Sequence, residues 1–408
     1  MKLQSVQNGR ILASHHRTIY EASAVDSFEP IGSINNPGRG ISALSFEALT
    51  RAPGRSMLEW VVGAYQTTNV WPVGDTALVA TVGRHLFSSQ DGGVNWHFCR
   101  KLPASSGLFG VLPTALCRHD GTIYLGEYPL DSSATPHVLR SVDDGRTWRR
   151  FLSLPEVRHI HSIAVDPYTE SIWLSTGDRD AECHIGRIKD GRFEPVVGGD
   201  QRFRAVDLVF TPDALLWGMD CLYTERNVIF RLDRQKLSDG GPAIGSPPSS
   251  ISVDGGTTLT DRTLEAIKAN APEPQPVTTV GSSVYYGTTL HDGSTWWAVF
   301  STAIEAGGDS TAPKTSNAGV QEPTATVVAA PADTDFTEWQ LLARFGVRRR
   351  PVHYINPGER LPCANAYVFL GAEDSTLYCN PFNTKQHHGA ILTIEADSFD
   401  DRLLGQSR

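Results

Sequence analysis

The sequence predicts an all-β fold, a seven-bladed β-propeller with short helical insertions. Short apolar runs separated by Gly, Asp and Asn turns recur along the 408 residues, whereas helical periodicity is scarce. Residues 141–148 read S-V-D-D-G-R-T-W, and residues 89–96 read S-Q-D-G-G-V-N-W, a near copy that begins 52 residues earlier. Two copies at the spacing of one blade predict repeated four-stranded units arranged as a propeller.

The two copies have a structural interpretation. In each, we expect the Asp carboxylate to accept backbone N–H groups within a tight hairpin turn, and the Gly to supply a positive φ angle. The Trp is expected to fold back onto the blade. Asp91 and Asp143 are therefore predicted to shape turns and are not candidates for catalysis.

With these two motifs the chain resembles the Asp-box, or BNR-repeat, β-propellers of the sialidase-like superfamily, and in architecture it resembles the propeller-fold polysaccharide lyases. The resemblance implies four strands per blade, A to D from the axis outward, with the motifs in the C–D turns. The A–B and C–D turns would then share one face of the propeller, and the B–C and D–A loops would share the other. Sialidases and propeller-fold lyases hold their sugars on that second face.

The other segments are assigned relative to blade 3, residues 111–154, within a single domain over residues 1–408. The other blades are predicted at residues 2–34, 69–102, 160–198, from 203 onward, 284–345 and 366–404. Between them we expect a helical insertion at 35–64, an irregular insertion at 235–275 and a flexible low-complexity loop at 302–323. Because blades 5 and 6 are the least regular, six or eight blades remain possible.

Composition excludes several classes of partner. The net charge is −9 and the longest basic run is Arg348-Arg349-Arg350, so no nucleic-acid partner is expected. No apolar stretch approaches the ~18 residues of a membrane span, so no membrane partner is expected either. The N-terminus lacks an apolar signal region, which predicts a cytoplasmic protein, or a secreted one if a leader was removed. The six cysteines show no C-x-x-C pairing and are expected to be buried thiols in a monomer or small homo-oligomer.

Titratable residues concentrate in the loops that the blade assignment places opposite the motifs. Seven of the thirteen histidines fall in these loops, and convergent titratable groups in a concave site predict an active site. We expect a glycan or oligosaccharide substrate there, with His161 as base, Tyr128 as acid and Arg204 as the group that neutralises a carboxylate. The predicted substrate-binding residues are Arg158, His159, Glu127, Asp178, Gln201, Arg202, Asp220, Arg226, His387 and His388.

The predicted function is that of a carbohydrate-active enzyme, a polysaccharide or oligosaccharide lyase that cleaves a uronic-acid-containing glycan by β-elimination. This chemistry needs a base, an acid and a cation beside the uronate carboxylate, which His, Tyr and Arg can supply.

Two alternatives stay open. A sialidase-like glycoside hydrolase would use a Tyr nucleophile, a Glu partner, an Asp acid/base and three arginines, although the Arg-Ile-Pro motif that usually accompanies sialidases is missing. The other alternative is a non-catalytic propeller that binds a glycan or a protein.

A divalent metal, Ca, Mn or Zn, is a further hypothesis, although no cofactor is required by the sequence. Neutral imidazoles are good metal ligands, and His15, His16 and His388 are the candidate ligands in the loops of the same face. Asp178, Asp180 and Glu182 alternate as in a Ca²⁺-binding loop.

Overall fold

Seven antiparallel sheets follow one another along the chain in the computed structural model, and each is built from consecutive strands. The structure describes residues 1–38, 41–103, 110–131, 133–222, 224, 226–237, 261–305, 324–355 and 364–401. The first strand of the chain contacts the first strand of the seventh sheet, so the ring is closed. The fold is a seven-bladed β-propeller, which confirms the predicted fold class.

Blades 1 to 4 contain four strands each. Their bounds are β1 Lys2–Gln7, β2 Arg10–His15, β3 Thr18–Ala22, β4 Glu29–Ser33, β5 Thr68–Pro72, β6 Leu78–Val82, β7 His85–Ser89, β8 His97–Lys101, β9 Leu116–His119, β10 Thr122–Gly126, β11 His137–Ser141, β12 Arg149–Ser153, β13 His159–Val165, β14 Ile172–Gly177, β15 His184–Lys189 and β16 Arg192–Gly198.

Blades 5 and 6 also contain four strands each, and blade 7 has three within the described residues. Their bounds are β17 Val209–Phe210, β18 Ala214–Gly218, β19 Asn227–Asp233, β20 Gln275–Val280, β21 Val284–His291, β22 Trp296–Thr302, β23 Thr324–Pro331, β24 Gln340–Gly346, β25 Tyr367–Glu373, β26 Thr376–Phe382 and β27 Leu392–Glu395.

Short helices interrupt the series of blades. Helices α1 Ile41–Thr50 and α2 Gly54–Val62 lie between blades 1 and 2, α3 Asp261–Asn270 precedes β20, and α4 Pro351–Ile355 follows blade 6. Among the described residues, no helix is long and apolar enough to cross a membrane. Residues 238–260 of the predicted irregular insertion and residues 306–323 of the predicted flexible loop lie outside the described residues.

The sequence predicts strand A of blade 3 over residues 111–118 and strand D from Trp148, and both strands begin later in the structure. β9 begins at Leu116, whereas the preceding residues form a turn in which Ala115 N donates to Leu112 O at 3.1 Å. Pro113 lies inside this turn and has no N–H to contribute to a strand ladder. The predicted start of strand D is also wrong by one residue, because Trp148 belongs to the motif turn and β12 begins at Arg149.

The two motif turns have the same hydrogen-bond pattern. In the C–D turn of blade 3, Ser141 Oγ donates to Asp143 Oδ1 at 2.7 Å and Thr147 N donates to the same oxygen at 2.9 Å. Trp148 Nε1 donates to Gly145 O at 2.8 Å. Residues 89–96 repeat all three contacts in the C–D turn of blade 2. Both Asp carboxylates are therefore used to shape turns, as their sequence context predicts.

The core lies between adjacent blades. Between blades 2 and 3, Val79 and Leu86 pack with Ile123, Leu139 and Trp148 in one buried cluster. Burial of these apolar surfaces is the main favourable free-energy term, and each blade obtains it only by contact with its neighbours. The propeller is thus stabilised blade against blade around the ring.

Replacing Gly145, the glycine of the blade 3 motif, should destabilise the protein more than replacing a glycine with a similar φ angle in an open turn. Gly145 has a φ of 84°, and a Cβ added there would lie 2.4 Å from Val79 Cγ2. Gly121 has a φ of 69° and nothing within 4 Å of the same position. Gly121→Ala should cost about 1 kcal/mol of unfolding free energy for its left-handed backbone, and Gly145→Ala about 2 kcal/mol more for overpacking.

Denaturant-induced unfolding of the two variants beside wild type measures the difference. Equal destabilisation by both substitutions would contradict close packing of the motif turn on blade 2.

Candidate active site

A cavity of about 400 Å³ opens at the B–C and D–A connections, on the face opposite the motif turns. We call it the central cavity. Its aromatic lining residues are Tyr65, Tyr128, Tyr285, Tyr286, Tyr367 and Phe369, and its polar lining residues are Gln66, His161, Arg204, Asp220, Glu305 and Asn365. They come from blades 3 to 7 and from the connection between blades 1 and 2, so the cavity lies where the blades converge.

Asp178 is the centre of an ion-pair network at one side of the cavity. Its Oδ2 accepts a hydrogen bond from Arg158 Nη1 at 2.7 Å. Its Oδ1 lies 3.0 Å from His159 Nε2, 3.1 Å from Arg204 Nη2 and 3.5 Å from His161 Nε2. Burial opposes the charge of this carboxyl, but hydrogen bonds with the two histidines hold the pKa of Asp178 well below its usual range. Asp178 is therefore a carboxylate that joins the loops of blades 4 and 5.

Both ring nitrogens of His159 and His161 face oxygen atoms. The Nδ1 atoms lie 3.1 Å from Pro129 O and from Ala205 O, respectively, while both Nε2 atoms face Asp178. Burial lowers the pKa of His159 despite the neighbouring carboxylate. Because every one of these partners is an oxygen acceptor, only an N–H of the ring can bond to it, and each ring donates to the protein. Neither nitrogen of His161 faces open space in which it would meet a substrate proton.

Arg204 bridges two carboxylates. Its Nη2 lies 3.1 Å from Asp178 Oδ1 and 3.3 Å from Asp220 Oδ2, and its side chain is buried. Burial disfavours the charged guanidinium, but the charges of Asp220 and Asp178 raise the pKa of Arg204. The positive charge is thus already balanced within the protein before any ligand enters.

Glu305 is a protonated acid in the cavity lining. It follows β22, in the B–C loop of blade 6, and it hydrogen-bonds to both Tyr285 and Asp220. Burial, and next the negative charge of Asp220, raise the pKa of Glu305 to about 8. Asn365 Nδ2 donates to Tyr285 Oη at 2.8 Å, which leaves the phenol proton free for Glu305. At neutral pH Glu305 therefore keeps its proton and is hydrogen-bonded to Asp220.

Tyr128 forms part of the aromatic wall beside the ion-pair network. Its ring stacks on His159 with the centroids 3.9 Å apart. Burial, followed by the charges of Asp178 and Asp220, raises the pKa of Tyr128 well above its usual value. The phenol is therefore neutral and a weak proton donor.

The other predicted substrate-binding residues lie outside the lining of the central cavity. Gln201 Nε2 donates to the main-chain oxygen of Asp178 at 2.9 Å, so it supports the network from behind. Arg202 pairs with Asp200 at 3.0 Å and with Glu273 at 2.7 Å.

Glu127 is buried next to the cavity, and its Oε2 accepts a hydrogen bond from His137 N at 3.2 Å. Burial raises the pKa of Glu127 to about 7. Arg226 is exposed. His388 Nδ1 accepts a backbone N–H of its own loop at 3.0 Å, and the ring of His387 lies near a phenylalanine of blade 6.

A metal ion would find one candidate set of ligands in the part of the chain that the structure describes. Ligand atoms of His159, His161 and Asp178 lie within 4.8 Å of one another. The Asp178 oxygens already contact the guanidinium groups of Arg158 and Arg204, and a divalent cation there would be repelled by both. The geometry therefore fits an ion-pair network better than a metal centre.

The metal ligands predicted from the sequence have other partners. The rings of His15 and His16 stack with their centroids 4.1 Å apart, and His16 Nε2 lies 3.6 Å from Glu59 Oε2. Burial, and next the charges of Arg350 and Arg348, lower the pKa of His388 to about 4.

Sequence reasoning predicted Asp220 but missed Glu305 and the two tyrosines beside it. Glu305 falls in a stretch assigned to a low-complexity loop, and Tyr285 and Tyr286 were assigned only to a strand. A signal was available, because these tyrosines open strand A of blade 6 as His159 and His161 open strand A of blade 4. The same blade phase therefore predicts that Tyr285 and Tyr286 lie on the face where the central cavity opens.

Comparisons with known proteins add solved structures of low similarity. No protein-family model matches the chain, and no curated protein matches it. A puromycin-hydrolyzing peptidase of Mycobacterium tuberculosis is similar over 97% of this chain and 51% of its own, with 9% identity and a TM-score of 0.49. An ancestral GH74 enzyme is similar over 96% of this chain and 45% of its own, with 9% identity and a TM-score of 0.48. The chain thus spans about half the length of these two proteins, and their activities do not carry over to it.

Removing the charge of Asp178 should destabilise the protein, since two arginines would lose a half-buried partner. We expect Asp178→Asn to reduce the free energy of unfolding by about 3 kcal/mol at neutral pH. Because the pKa of Asp178 is lowered in the folded state, its contribution is complete above the unfolded-state pKa. The difference between wild type and variant should therefore shrink as the pH falls below about 4.

Chemical denaturation of both proteins between acidic and neutral pH measures this difference. Asp180→Asn, which alters an exposed carboxylate of the same loop, is the matched control and should have a small effect. A pH-independent loss in Asp178→Asn would contradict the role given to the charge.

Proposed function

We propose that this chain is a carbohydrate-active enzyme that hydrolyses glycosidic bonds in the central cavity, with Glu305 as proton donor and Asp220 as its carboxylate partner. The observation that carries the proposal is a pair of hydrogen-bonded carboxyl groups, Glu305 with a raised pKa and Asp220, in a cavity lined by aromatic residues. The proposal includes membership of the Asp-box propellers, which the matching hydrogen bonds of the two motif turns support.

Glycoside hydrolysis needs one carboxylic acid to protonate the leaving oxygen and one carboxylate to stabilise or attack the sugar carbon, directly or through water. Glu305 keeps its proton at neutral pH because its pKa is about 8. Asp220 forms a salt bridge with Arg204, Oδ2 to Nη2 at 3.3 Å. Because the two carboxyls are hydrogen-bonded to each other, a substrate has to separate them to the roughly 5–10 Å that glycosidases use. The glycosidic oxygen would then take the Glu305 proton as its bond to the anomeric carbon breaks, and a water molecule that gives a proton to Asp220 would form the new bond to that carbon.

The aromatic lining suits a sugar. Tyr65, Tyr128, Tyr286 and Tyr367 offer ring faces with polar hydroxyl groups, and such side chains bind the apolar faces of pyranose rings while keeping a polar contact. Gln66 and Asn365 add amide groups that can bind sugar hydroxyls.

The charges in the cavity favour a neutral sugar over a uronate or a sialic acid. Arg204 is the only arginine among the described lining residues, and it forms salt bridges with two carboxylates. It has no unbalanced charge with which to neutralise a substrate carboxylate during β-elimination. His161 and Tyr128, as described above, are poorly suited as base and acid, so we prefer hydrolysis to the elimination that the sequence predicts.

Replacing Glu305 by Gln keeps the shape of the side chain and removes the acidic proton. We expect Glu305→Gln to lower kcat/KM on a neutral oligosaccharide by roughly 100-fold or more, since it removes general acid catalysis. In wild type, kcat/KM should fall as the pH rises through about 8, because Glu305 loses its proton there. Release of reducing ends from a panel of neutral and uronic-acid oligosaccharides is the assay.

Glu373→Gln is the control, because Glu373 lies at an A–B turn on the opposite face, where it accepts a hydrogen bond from Gly9 N. A product that absorbs as an unsaturated uronate would contradict hydrolysis and show that the enzyme cleaves by elimination. Saturable sugar binding without any product would assign the chain to the non-catalytic propellers.

A further inference from the structure

A second cavity lies outside the ring axis, between helices α1 and α2 and the outer strands of blade 2. Its volume is about 540 Å³, within the range of small-molecule sites. We call it the lateral cavity. Its apolar wall is formed by Phe46, Leu49, Leu58, Val82 and Phe98. Phe98 is 48% exposed and Leu49 is 39% exposed, so part of this wall faces solvent.

The charged lining residues of the lateral cavity are all basic. Arg55, Arg84, His85 and Lys101 line it, and among the described lining residues there is no Asp or Glu. Arg55 already pairs with Glu59, Nε to Oε1 at 2.8 Å.

Arg84 and Lys101 form no salt bridge within the part of the chain that the structure describes. Lys101 is directly opposite His85 in the β7–β8 ladder, and Arg84 is the next residue in the chain, so both cations lie at one rim. Burial, and next the charges of Lys101 and Arg84, lower the pKa of His85. The rim therefore has an unbalanced positive potential beside an apolar wall.

We propose that the lateral cavity binds a small amphipathic anion, specifically a medium-chain fatty acid, with its chain against the apolar wall and its carboxylate at Arg84 and Lys101. The chemistry is complementary in both parts: apolar surface for the methylene chain, and for the carboxylate two cations that form no salt bridge with the described residues. The concave shape and volume fit a small ligand rather than the flat patch of a protein interface. This inference does not depend on the proposed glycosidase activity.

Calorimetric titration with decanoate, octanoate and 1-decanol tests the proposal. Decanoate should bind with a stoichiometry of one. Octanoate should bind roughly tenfold more weakly, because two fewer methylenes are buried, and 1-decanol should be weaker because it has no charge. Lys101→Glu should weaken decanoate binding by about tenfold or more, whereas Lys189→Glu, a control on blade 4, should leave it unchanged.

A second readout guards against an unstable variant. In the wild-type protein, decanoate should raise the pKa of His85, followed by NMR, since a bound carboxylate offsets the nearby positive charges. Equal affinity for 1-decanol and decanoate, equal binding by the two lysine variants, or no saturable binding would each overturn the proposal. If light scattering showed a dimer that Phe98→Lys abolishes, the apolar wall would be an interface with a second copy of the chain and not a ligand site.

Discussion

The pairing of buried charges at Asp178, Arg204 and Asp220 is the constraint on which the mouth of the propeller depends. A charge taken out of water is costly unless a partner is held in place. These three residues belong to different loops of blades 4 and 5, and Arg204 satisfies both carboxylates only when those loops are in register. The same network also affects the chemistry of the cavity, because the negative charge of Asp220 helps to raise the pKa of Glu305.

Periodic features of the chain were predictable from the sequence. Two motifs of known turn chemistry define the position of the C–D turn, and from that phase Tyr128, His161, Arg204 and Asp220 are assigned to one face; all four line the central cavity. Boundaries were predicted less well where a proline or a turn delays the start of a strand, as at Pro113 and Trp148. Local sequence predicts whether a segment is a strand more reliably than it predicts the residue at which that strand begins.

The roles of individual side chains were not predictable, since each depends on distances between blades. His161 looks like a base in the sequence, but Ala205 O and Asp178 occupy its two nitrogens. Arg204 looks like a free cation, but two carboxylates from distant positions neutralise it. Glu305 meets Tyr285 and Asp220 only because the ring brings blades 5 and 6 together.

Tyr65 follows helix α2 and lines both the central and the lateral cavity. A ligand in either cavity that shifts this ring changes the wall of the other. Binding free energies at two sites with a common element are reciprocal, so a lateral ligand that alters sugar affinity by some factor has its own affinity altered by the same factor. Tyr65 is thus a wall residue common to the two cavities, and it belongs to the insertion between blades 1 and 2.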